Sequence, residues 1–481
     1  MGEFRGRVTV SWSMDASARD WAEEIFGHAD LGDSRRTRRL VQIASEAAAR
    51  PGGRVLDVCR TSASRQGAYD FLSNKSIAPA DVQASVIKAT ALACEGEAFC
   101  FVVVDGTALT LTDWERGKDF GAVGATRKRA RGLQVINAYA LSSDGTPIGL
   151  IGQHWWTRVA HKKRRDCQDR IVADKETKYW LQAIKASGIY LSAFGSRPWF
   201  QIDREGDRFA TLKTLHQSGH WFTVRSTYGH RRLVGQKGNV RLRHAVARSK
   251  ILGHYDLEVL PKYNRRGRTA AMAIRAISVT LDMWEPSTND QLQLPINVVD
   301  VREVGPRPRK TPPIHWRLFT NRPIETEKDV LEIIRGYTQR WKIEELHRTW
   351  KSGACRIEEN QLRSADAVMK WAIIMAANAS RIERLKWLAR KEPDLPASCA
   401  LTESEIKAAI VLRRKYKPKN QPDPSPTPTI SEIVLWIAEI GGYTGKSSGG
   451  PPGSITIRRG LDFIAPAAAA IEQLEADGKM R

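Results

Sequence analysis

Cysteine is scarce in this chain, and none of the cysteines is placed as a structural metal site or a disulfide framework would require. The sequence has six cysteines in 481 residues, and no two form a C-x-x-C pair. Zinc sites and disulfide-rich domains need closely spaced or numerous cysteines. The pattern therefore argues against both, and free thiols indicate a reducing compartment such as the cytosol.

Long apolar segments are also lacking. The sequence contains no run of 18 or more apolar residues and no long amphipathic helix with a basic polar face. A membrane span needs the first of these features, and a surface-lying membrane helix needs the second. The first five residues lack the apolar core of a secretory signal. We therefore expect a cytoplasmic protein with no membrane partner.

Acidic residues are too few to balance the basic ones. The chain has 76 Lys and Arg against 53 Asp and Glu, which gives a net charge of +23. Such an excess predicts a polyanionic partner, most simply a nucleic acid. The hydrophobic fraction of 42% is enough for folded cores, so we expect several domains rather than a disordered chain.

The predicted secondary structure changes from helical to mixed near residue 99. Helical patterns occupy residues 18–50, where Asp33 or Ser34 is the expected N-cap, and residues 61–95. Strands are then predicted at 99–104, 132–141, 147–156 and 198–202, with an Asp144-Gly145 turn between the second and third and helices at 173–187 and 207–217. Residues 218–322 predict a β-rich insertion, followed by helices at 326–352, 366–390, 430–441 and 462–476 and a basic, proline-rich linker at 413–429.

Two aspartates stand directly after predicted strands of the central region. Asp105 ends the strand at 99–104, and Asp203 ends the strand at 198–202. A ribonuclease-H-like core has this order of elements: strand, hairpin, helix, strand and helix, with acidic residues at these positions. In such a core the two strand ends lie side by side. Either aspartate could instead form a turn or cap a helix. Asp207 is the alternative to Asp203 as the functional residue.

A third carboxylate lies in a charged helical segment. Tyr337, Arg340, Glu344 and Lys351 stand at offsets of 0, 3, 7 and 14. At about 100° per residue they share one face of an α-helix, whereas Glu345 does not. A carboxylate flanked by cations suits a divalent metal beside a phosphodiester. The alternative is a solvated helix with ion pairs between successive turns.

Together these residues resemble the DDE transposases of bacterial insertion sequences, in particular the type found in the composite kanamycin-resistance transposon. The family's Tyr-x2-Arg-x3-Glu-x6-Lys motif is met in full by the helical segment. Ile202-Asp203-Arg204-Glu205 resembles its second-aspartate motif, and Val104-Asp105-Gly106-Thr107 resembles its first. The segments at 31–37 and 153–158 are also similar to the family.

The resemblance implies a cut-and-paste DNA transposase. Such an enzyme binds terminal inverted repeats, nicks the DNA, passes through a hairpin intermediate and joins the 3′ ends to target DNA. Asp105, Asp203 and Glu344 would be the catalytic residues and the ligands of two Mg²⁺ ions, which Mn²⁺ could replace. The implied partners are double-stranded DNA at transposon ends and targets, and a second copy of the chain in a synaptic complex at the bacterial nucleoid. No nucleotide cofactor is expected.

The resemblance also assigns DNA contacts. Phosphates around the scissile site would be held by Tyr337, Arg340, Lys351 and Arg225. Trp316 would stack on a base flipped out during hairpin formation, although a core tryptophan fits its alternating strand equally well. Four arginines would contact the terminal repeat, by reading guanine or by binding phosphate: Arg35, Arg36, Arg39 and Arg65. The basic runs at 127–129 and 162–165 would bind DNA non-specifically or form solvated loops.

The expected fold class is α/β, with a ribonuclease-H-like mixed-sheet catalytic core and helical domains on either side of it in sequence. Residues 1–85 would bind the DNA end, and residues 86–395 would form the catalytic domain with its β-rich insertion at about 218–322. Residues 396–481 would provide the linker and a helical dimerisation domain. Within it, 430–440 and 464–474 would pair two subunits.

Three other functions fit parts of the pattern. A glycosidase could use acidic pairs and the 15 tryptophans of the chain, but the charge of +23 argues against it. A DNA-binding repressor descended from a transposase would need no catalysis, although all three carboxylates are present. A nuclease that cuts without joining is the third alternative. Metal-dependent joining of DNA separates the last two from a transposase.

Overall fold

The computed structural model describes residues 18–113, 117–124, 130–158, 175–235, 240–259, 267–308, 311–417, 421–445 and 450–477. Over these residues the protein is a mixed α/β structure. A central mixed sheet is flanked by helices, and the N-terminal and C-terminal regions are helical. The basic runs predicted at 127–129 and 162–165 lie outside the described residues.

The N-terminal region consists of five helices. They are α1 (Ala18–Phe26), α2 (Ser34–Ala49), α3 (Val55–Val58), α4 (Ser62–Ser73) and α5 (Pro79–Ala93). Asp33 is the N-cap of α2, as predicted, and its side chain accepts a hydrogen bond from the Arg35 amide at 2.8 Å. The helical region predicted at 61–95 is divided into α4 and α5. Pro79 occupies the first turn of α5, where its missing N–H costs nothing.

Eleven strands of the described residues form one sheet. They are β1 (Phe99–Leu111), β2 (Gly121–Ala122), β3 (Arg131–Leu141), β4 (Pro147–Trp156), β5 (Arg197–Ile202), β6 (Trp221–Arg225), β7 (Arg232–Leu233), β8 (Ile251–Val259), β9 (Arg268–Glu285), β10 (Asp290–Glu303) and β11 (His315–Thr320). The main order is β2-β3-β1-β5-β6-β11-β10-β9-β7, with β4 on β3 and β8 on β9. The β-rich insertion therefore extends the central sheet and is hydrogen-bonded to it.

The first strand is longer than predicted. Its parallel pairing with β5 ends at Val104 and Ile202, which is where the sequence placed the end of the strand. Its antiparallel pairing with β3 continues from Asp105 opposite Asn137 to Leu111. Asp105 therefore lies within β1, at the point where β1 loses its parallel neighbour. The prediction that the strand ends at Asp105 was wrong because a non-local pairing extends it.

Helices cover both faces of the sheet. After β4 come α6 (Thr177–Ala193), α7 (Phe209–Ser218), α8 (Leu242–Arg248), α9 (Glu327–Thr338), α10 (Trp341–Lys351) and α11 (Ala365–Lys391). One face of the sheet, with Phe101 and Val103, packs with α9, α10 and α11 in the same core as the N-terminal helices. The other face, with Val102 and Val104, packs against α6 and α7. The long helix α11 also donates to the N-terminal region, from Trp371 Nε1 to the Gly53 carbonyl at 2.7 Å.

The helix predicted over 326–352 is two helices. The amides of Gln339 and Arg340 donate to the carbonyls of Gly336 and Tyr337, three residues back, instead of four. This tight turn separates α9 from α10. Gly336 lies against the Phe101 ring, where a Cβ would approach the ring to 2.9 Å, so α9 packs closely on β1 before the chain turns. The predicted stripe therefore spans two helices.

The described residues of the C-terminal region form three helices, which share a further core with the end of α11. They are α12 (Glu403–Tyr416), α13 (Ile430–Ile440) and α14 (Ser454–Ala476). The sequence prediction omitted α12 and began the linker at residue 413, within this helix. Thr402 and Glu405 form a capping box that marks its start. Among the helices that the structure describes, none combines the length and apolarity needed to cross a bilayer.

Candidate active site

The two predicted aspartates meet at the junction of β1 and β5. Val104 pairs with Ile202 in the parallel ladder, so Asp105 and Asp203 are the next residues of adjacent strands. Burial and, next, the charge of Asp203 raise the pKa of Asp105 to about 7, against the opposing effect of the Arg340 guanidinium. Two carboxylates are therefore held close enough to repel each other.

Asp203 also caps the short turn that follows β5. Its Oδ1 accepts a hydrogen bond from the Glu205 amide at 2.8 Å. The alternative residue Asp207 is buried, where it pairs with Arg231 and accepts a hydrogen bond from the Thr227 amide at 2.6 Å. Asp207 thus holds the loop after β6, whereas Asp203 faces the Asp105 carboxylate.

The third predicted carboxylate binds an arginine. Arg340 Nη2 donates to Glu344 Oε1 at 2.7 Å across the start of α10. The same guanidinium lowers the pKa of Asp105, so it acts on carboxylates of both β1 and α10. Among the residues that the structure describes, no three acidic, histidine or cysteine side chains gather closely enough to hold a metal. The expected three-carboxylate group is therefore represented by an aspartate pair and an arginine-bound glutamate.

Three of the predicted DNA-contacting residues surround the end of α9. The Tyr337 side chain is buried, and its ring meets the Trp316 ring edge-to-face with 5.9 Å between centroids. Arg225 lies near Tyr337 and donates to the His315 carbonyl at 3.0 Å. Burial is the main cause that lowers the pKa of Arg225, with a smaller contribution from the charge of Arg204.

Lys351 lies at the far end of α10. Its Nζ donates to Thr107 Oγ1 at 3.3 Å and pairs with Glu358 at 3.5 Å. Because Thr107 is two residues after Asp105 on β1, this contact keeps the ammonium near the strand that carries the first aspartate. The structure therefore brings all four residues of the helical motif to the carboxyl end of β5 and the adjoining part of β1.

Three family models match this chain. A transposase DNA-binding model matches residues 18–77, a transposase DDE domain model matches 152–379, and a transposase Tn5 dimerisation domain model matches 377–472. The chain carries the domain set of a Tn5-type DDE transposase. Asp203 and Glu344 lie within the matched DDE segment, whereas Asp105 precedes it and is joined to it by the β1–β5 ladder.

The aspartate pair at the matched DDE segment fits a divalent metal. DDE transposase domains generally use divalent metal ions. Hard cations take carboxylate oxygens as ligands, and the repulsion between Asp105 and Asp203 is what such a charge would relieve. The carboxylate oxygen of Glu344 is bonded to Arg340 and would become available to a metal only if that bond were broken. The residues present thus match the chemistry of the ion that the domain uses.

The transposase DNA-binding domain exposes two of the predicted arginines at the start of α2. Arg35 is 81% exposed and pairs with Asp33 at 2.8 Å. Arg36 Nη1 donates to the Leu31 carbonyl at 2.9 Å, which folds its side chain back over the loop before the helix. Arg35 can therefore contact DNA by giving up its solvent-accessible ion pair with Asp33. Arg36 is held more tightly, because its side chain is bonded to the Leu31 carbonyl.

The other two predicted arginines are Arg39 in α2 and Arg65 in α4. Arg39 donates to Gln42 at 3.0 Å and lies over Gly67, where a Cβ would stand 2.6 Å from the guanidinium. Arg65 Nη1 donates to the Arg60 carbonyl at 2.6 Å. Only a glycine at position 67 leaves room for this arrangement of Arg39.

The dimerisation domain buries most of the apolar side chains that the sequence assigned to subunit pairing. Ile433 and Ile437 of α13 and Ile464 of α14 are buried in the core of the domain itself. The large apolar side chains that remain exposed on α14 are Ile455, Phe463 and Leu474. Within the two segments assigned to subunit pairing, 430–440 and 464–474, Leu435 and Leu474 remain exposed, so pairing through these segments stays a prediction.

Glu205 is one acidic neighbour to which the sequence analysis gave no role. Burial and, next, the charge of Asp203 raise the pKa of Glu205. The residue as a whole is exposed on the turn after β5, two residues beyond Asp203, while neighbouring atoms shield its carboxyl from part of the solvent. The two-residue spacing of Asp203 and Glu205 could have indicated that both acids belong to the site. Acidic residues two positions apart after a strand are, however, also common in solvated turns.

Proposed function

We propose that this protein is a cut-and-paste DNA transposase that binds terminal inverted repeats, cleaves them through a hairpin intermediate and joins the 3′ ends to target DNA. The observation that carries the proposal is the Asp105–Asp203 pair beside Arg340 and Glu344, in a chain with transposase DNA-binding, DDE and dimerisation domains. Carboxylates beside cations suit the metal-dependent transfer of phosphoryl groups.

The proposal includes a ribonuclease-H-like core and a kinship with the transposase of the composite kanamycin-resistance transposon. The support for such a core is the order of its strands. An antiparallel β1–β3–β4 unit is followed by α6 and by β5, which lies parallel to β1 on its other side. The acids stand at the parallel junction.

Two Mg²⁺ ions, or Mn²⁺ in their place, would be held by Asp105, Asp203 and Glu344. When bound, the metals supply charge neutralisation and a hydroxyl group activated for attack. The protein's own residues do the rest. Asp105 must give up its proton, and Arg340 must leave Glu344. A DNA phosphate is the natural new partner for Arg340, because guanidinium binds phosphate in the same bidentate manner as carboxylate.

The remaining contacts follow from the places of the cations and aromatic rings. Lys351 and Arg225 would hold phosphates on either side of the scissile bond, and Tyr337 would support Arg225. Trp316, half-buried against Tyr337, would offer its ring to the flipped base, where stacking contributes about 1–3 kcal/mol. The arginines Arg35, Arg36, Arg39 and Arg65 would bind the terminal repeat.

A homodimer would form the synaptic complex, and the exposed face of α14 is the proposed contact between subunits. Its side chains Ile455, Phe463 and Leu474 are too large and apolar to be left in water on a monomer without cost. The DNA substrate makes the bacterial nucleoid the proposed place of action. The predicted domain boundaries at residues 85 and 395 remain part of the same proposal.

The test is a strand-transfer assay with Mg²⁺ and the terminal-repeat DNA that flanks the gene. Wild type is compared with Glu344→Ala, and Glu345→Ala is the matched control on the same helix. Joined products from wild type and Glu345→Ala, but not from Glu344→Ala, are expected. Specific binding without cleavage under any divalent metal would favour a repressor. Cleavage without joining would favour a nuclease.

A further inference from the structure

A row of polar side chains crosses three neighbouring strands below α10. Asp105 of β1 stands opposite Asn137 of β3, and Asn137 stands opposite Gln153 of β4. Directly opposed residues point to the same face of a sheet. This face is the one that packs against α10. Asn137 and Gln153 are buried, so their polar groups need partners within the protein.

The row is linked by hydrogen bonds to His347 of α10. Gln153 Nε2 donates to Asn137 Oδ1 at 2.9 Å, which leaves the Asn137 amide nitrogen to face His347 Nε2, also at 2.9 Å. The histidine nitrogen must then accept, so the ring is neutral with its proton on Nδ1. Burial lowers the pKa of His347 to about 3, which agrees with a neutral ring.

His347 is joined through α10 to the third carboxylate. It stands three residues after Glu344, which places the two on neighbouring positions of one helical surface. The middle member of the hydrogen-bonded row, Asn137, is the residue opposite Asp105. The hydrogen bonds therefore connect β3, which is paired with the strand that carries the first carboxylate, to the helix that carries the third, although Asn137 and His347 are 210 positions apart.

We propose that Asn137 and His347 are positioning residues, which set the rotation and height of α10 over β1 and so bring Glu344 to the metal site. The inference rests on the proposed function, because it assumes that Glu344 acts at that site. Apolar packing alone would tolerate small slides of α10. The hydrogen bond between the imidazole and the amide has one good geometry, and breaking it leaves a buried amide unpaired.

The polar row lies among apolar side chains in the middle of α10, whereas Lys342 and Lys351 donate hydrogen bonds to the sheet region from the two ends of the helix. Ile343, Leu346 and Trp350 of α10 are buried in the surrounding apolar core. Apolar neighbours stabilise the contact without fixing its register. Residues that orient metal ligands without touching the metal typically lower metal affinity or activity by about 10- to 100-fold when they are removed. A similar size of effect is expected here.

The experiment compares His347→Leu, His347→Gln and Leu346→Ala. Leucine removes the acceptor, whereas glutamine can offer its amide oxygen to Asn137. Leu346→Ala is the matched control, because it weakens the same helix contact without touching the row. Mn²⁺ affinity is measured by electron paramagnetic resonance with terminal-repeat DNA bound, and single-turnover strand cleavage and DNA-end affinity are measured in parallel.

We expect His347→Leu to lower Mn²⁺ affinity or the cleavage rate by about 10- to 100-fold with unchanged DNA-end affinity. The Mn²⁺ affinity and the cleavage rate of His347→Gln should stay within a few-fold of the wild-type values. The folded molecules of Leu346→Ala should also stay within a few-fold of wild type in both quantities. Equal values for His347→Leu and Leu346→Ala would overturn the proposal. If His347→Leu does not fold, Asn137→Ala replaces it in the same comparison.

The same data separate this proposal from the proposed function. Loss of Mn²⁺ affinity in His347→Leu, with no cleavage by any form including wild type, would refute the transposase activity and leave the positioning role standing. Wild-type cleavage with an unaffected His347→Leu would refute the positioning role and leave the activity standing.

Discussion

The arginines of α2 and the arginine before α10 carry the same charge in opposite settings. The Arg35 side chain is 81% exposed and pairs with Asp33, two residues away. The Arg340 side chain is 7% exposed, pairs with Glu344 and acts on Asp105 from another element. Exposed charges contribute small, salt-screened and nearly additive effects. Buried charges are coupled, so a change in one alters its neighbours.

The largest effect is expected at the aspartates. Asp203→Asn should reduce strand cleavage by at least about a thousandfold while the protein stays folded, because a proposed ligand of the metal at the reacting phosphate is lost. Asp207→Asn should instead lower the stability of the fold and leave cleavage by the folded molecules intact. It breaks a buried pair with Arg231, which costs about 3–5 kcal/mol of stability, but its folded fraction should cleave. Chemical denaturation and single-turnover cleavage of both variants check this. Equal cleavage defects per folded molecule would remove the distinction.

The next effect is on pH dependence. The pKa of Asp105 is raised to about 7, so the folded protein holds a proton that the unfolded chain releases near its ordinary value of 3.8. The contribution of Asp105 to the free energy of unfolding of the metal-free protein should therefore decrease as the pH rises from about 4 to about 7. Metal affinity should rise over the same range, because the ion competes with that proton.

Mn²⁺ titrations between pH 5.5 and 8.5, roughly a unit and a half on either side of the expected midpoint, check this linkage. In Asp203→Asn the midpoint of the pH dependence should move downwards, because the neighbouring negative charge is gone. A midpoint that stays in place would show that burial alone raises the pKa of Asp105.

Arg340→Gln should separate the two roles of the arginine. Without DNA, metal affinity should increase on the order of tenfold, because a competing cation no longer binds Glu344. With DNA, cleavage should decrease, because a phosphate contact is lost. Mn²⁺ binding with and without terminal-repeat DNA checks both. Lys342→Gln, on the same helix, is the control, since Lys342 donates to the Gly145 carbonyl instead. Weaker metal binding in free Arg340→Gln would contradict the competition.

The smallest effect is expected at Arg35. Arg35→Ala should weaken binding to every DNA sequence alike and reduce the slope of log K against log salt by about 0.9, if one phosphate contact is lost. Arg35→Lys keeps the charge but not the bidentate geometry. It should bind as wild type if the contact is phosphate, and lose about 1–3 kcal/mol of discrimination if guanine is read. Fluorescence anisotropy on matched and mutated repeats distinguishes the two.

Local signals predicted the elements that local chemistry determines. The Asp144-Gly145 turn was predicted from a dipeptide, and Gly145 has the φ of +96° that such a turn requires. The strand Pro147–Trp156 was predicted with its exact bounds. Asp33 was one of two expected caps and is the one observed. These features depend on a few adjacent residues, so sequence alone could specify them.

Features that depend on distant partners were missed. Nothing near Asp105 indicates that β3 will extend β1 beyond it. The break at Gln339 has no proline to mark it, and Gly336, the first residue of the turn, could not be distinguished from a glycine that packs within a helix. His347 could not be linked to Asn137, because a motif search compares spacing along the chain and not across a sheet. The strand that precedes Asp203 was nevertheless predicted to end at Ile202, and β5 does end there.

The continuity of the sheet has a consequence for how the protein unfolds. The strands of residues 218–322 are hydrogen-bonded through β6 to β5 and so to β1, whose ladder with β5 ends one residue before Asp105. A segment tied in this way cannot open without stripping hydrogen bonds from its neighbour. The region that would contact the flipped base and the region that holds the carboxylates should therefore exchange amide hydrogens as one cooperative unit. The core of the C-terminal helices includes Leu385 and Leu388 of α11, so that region is tied to the rest of the described protein through helix packing and not through a sheet.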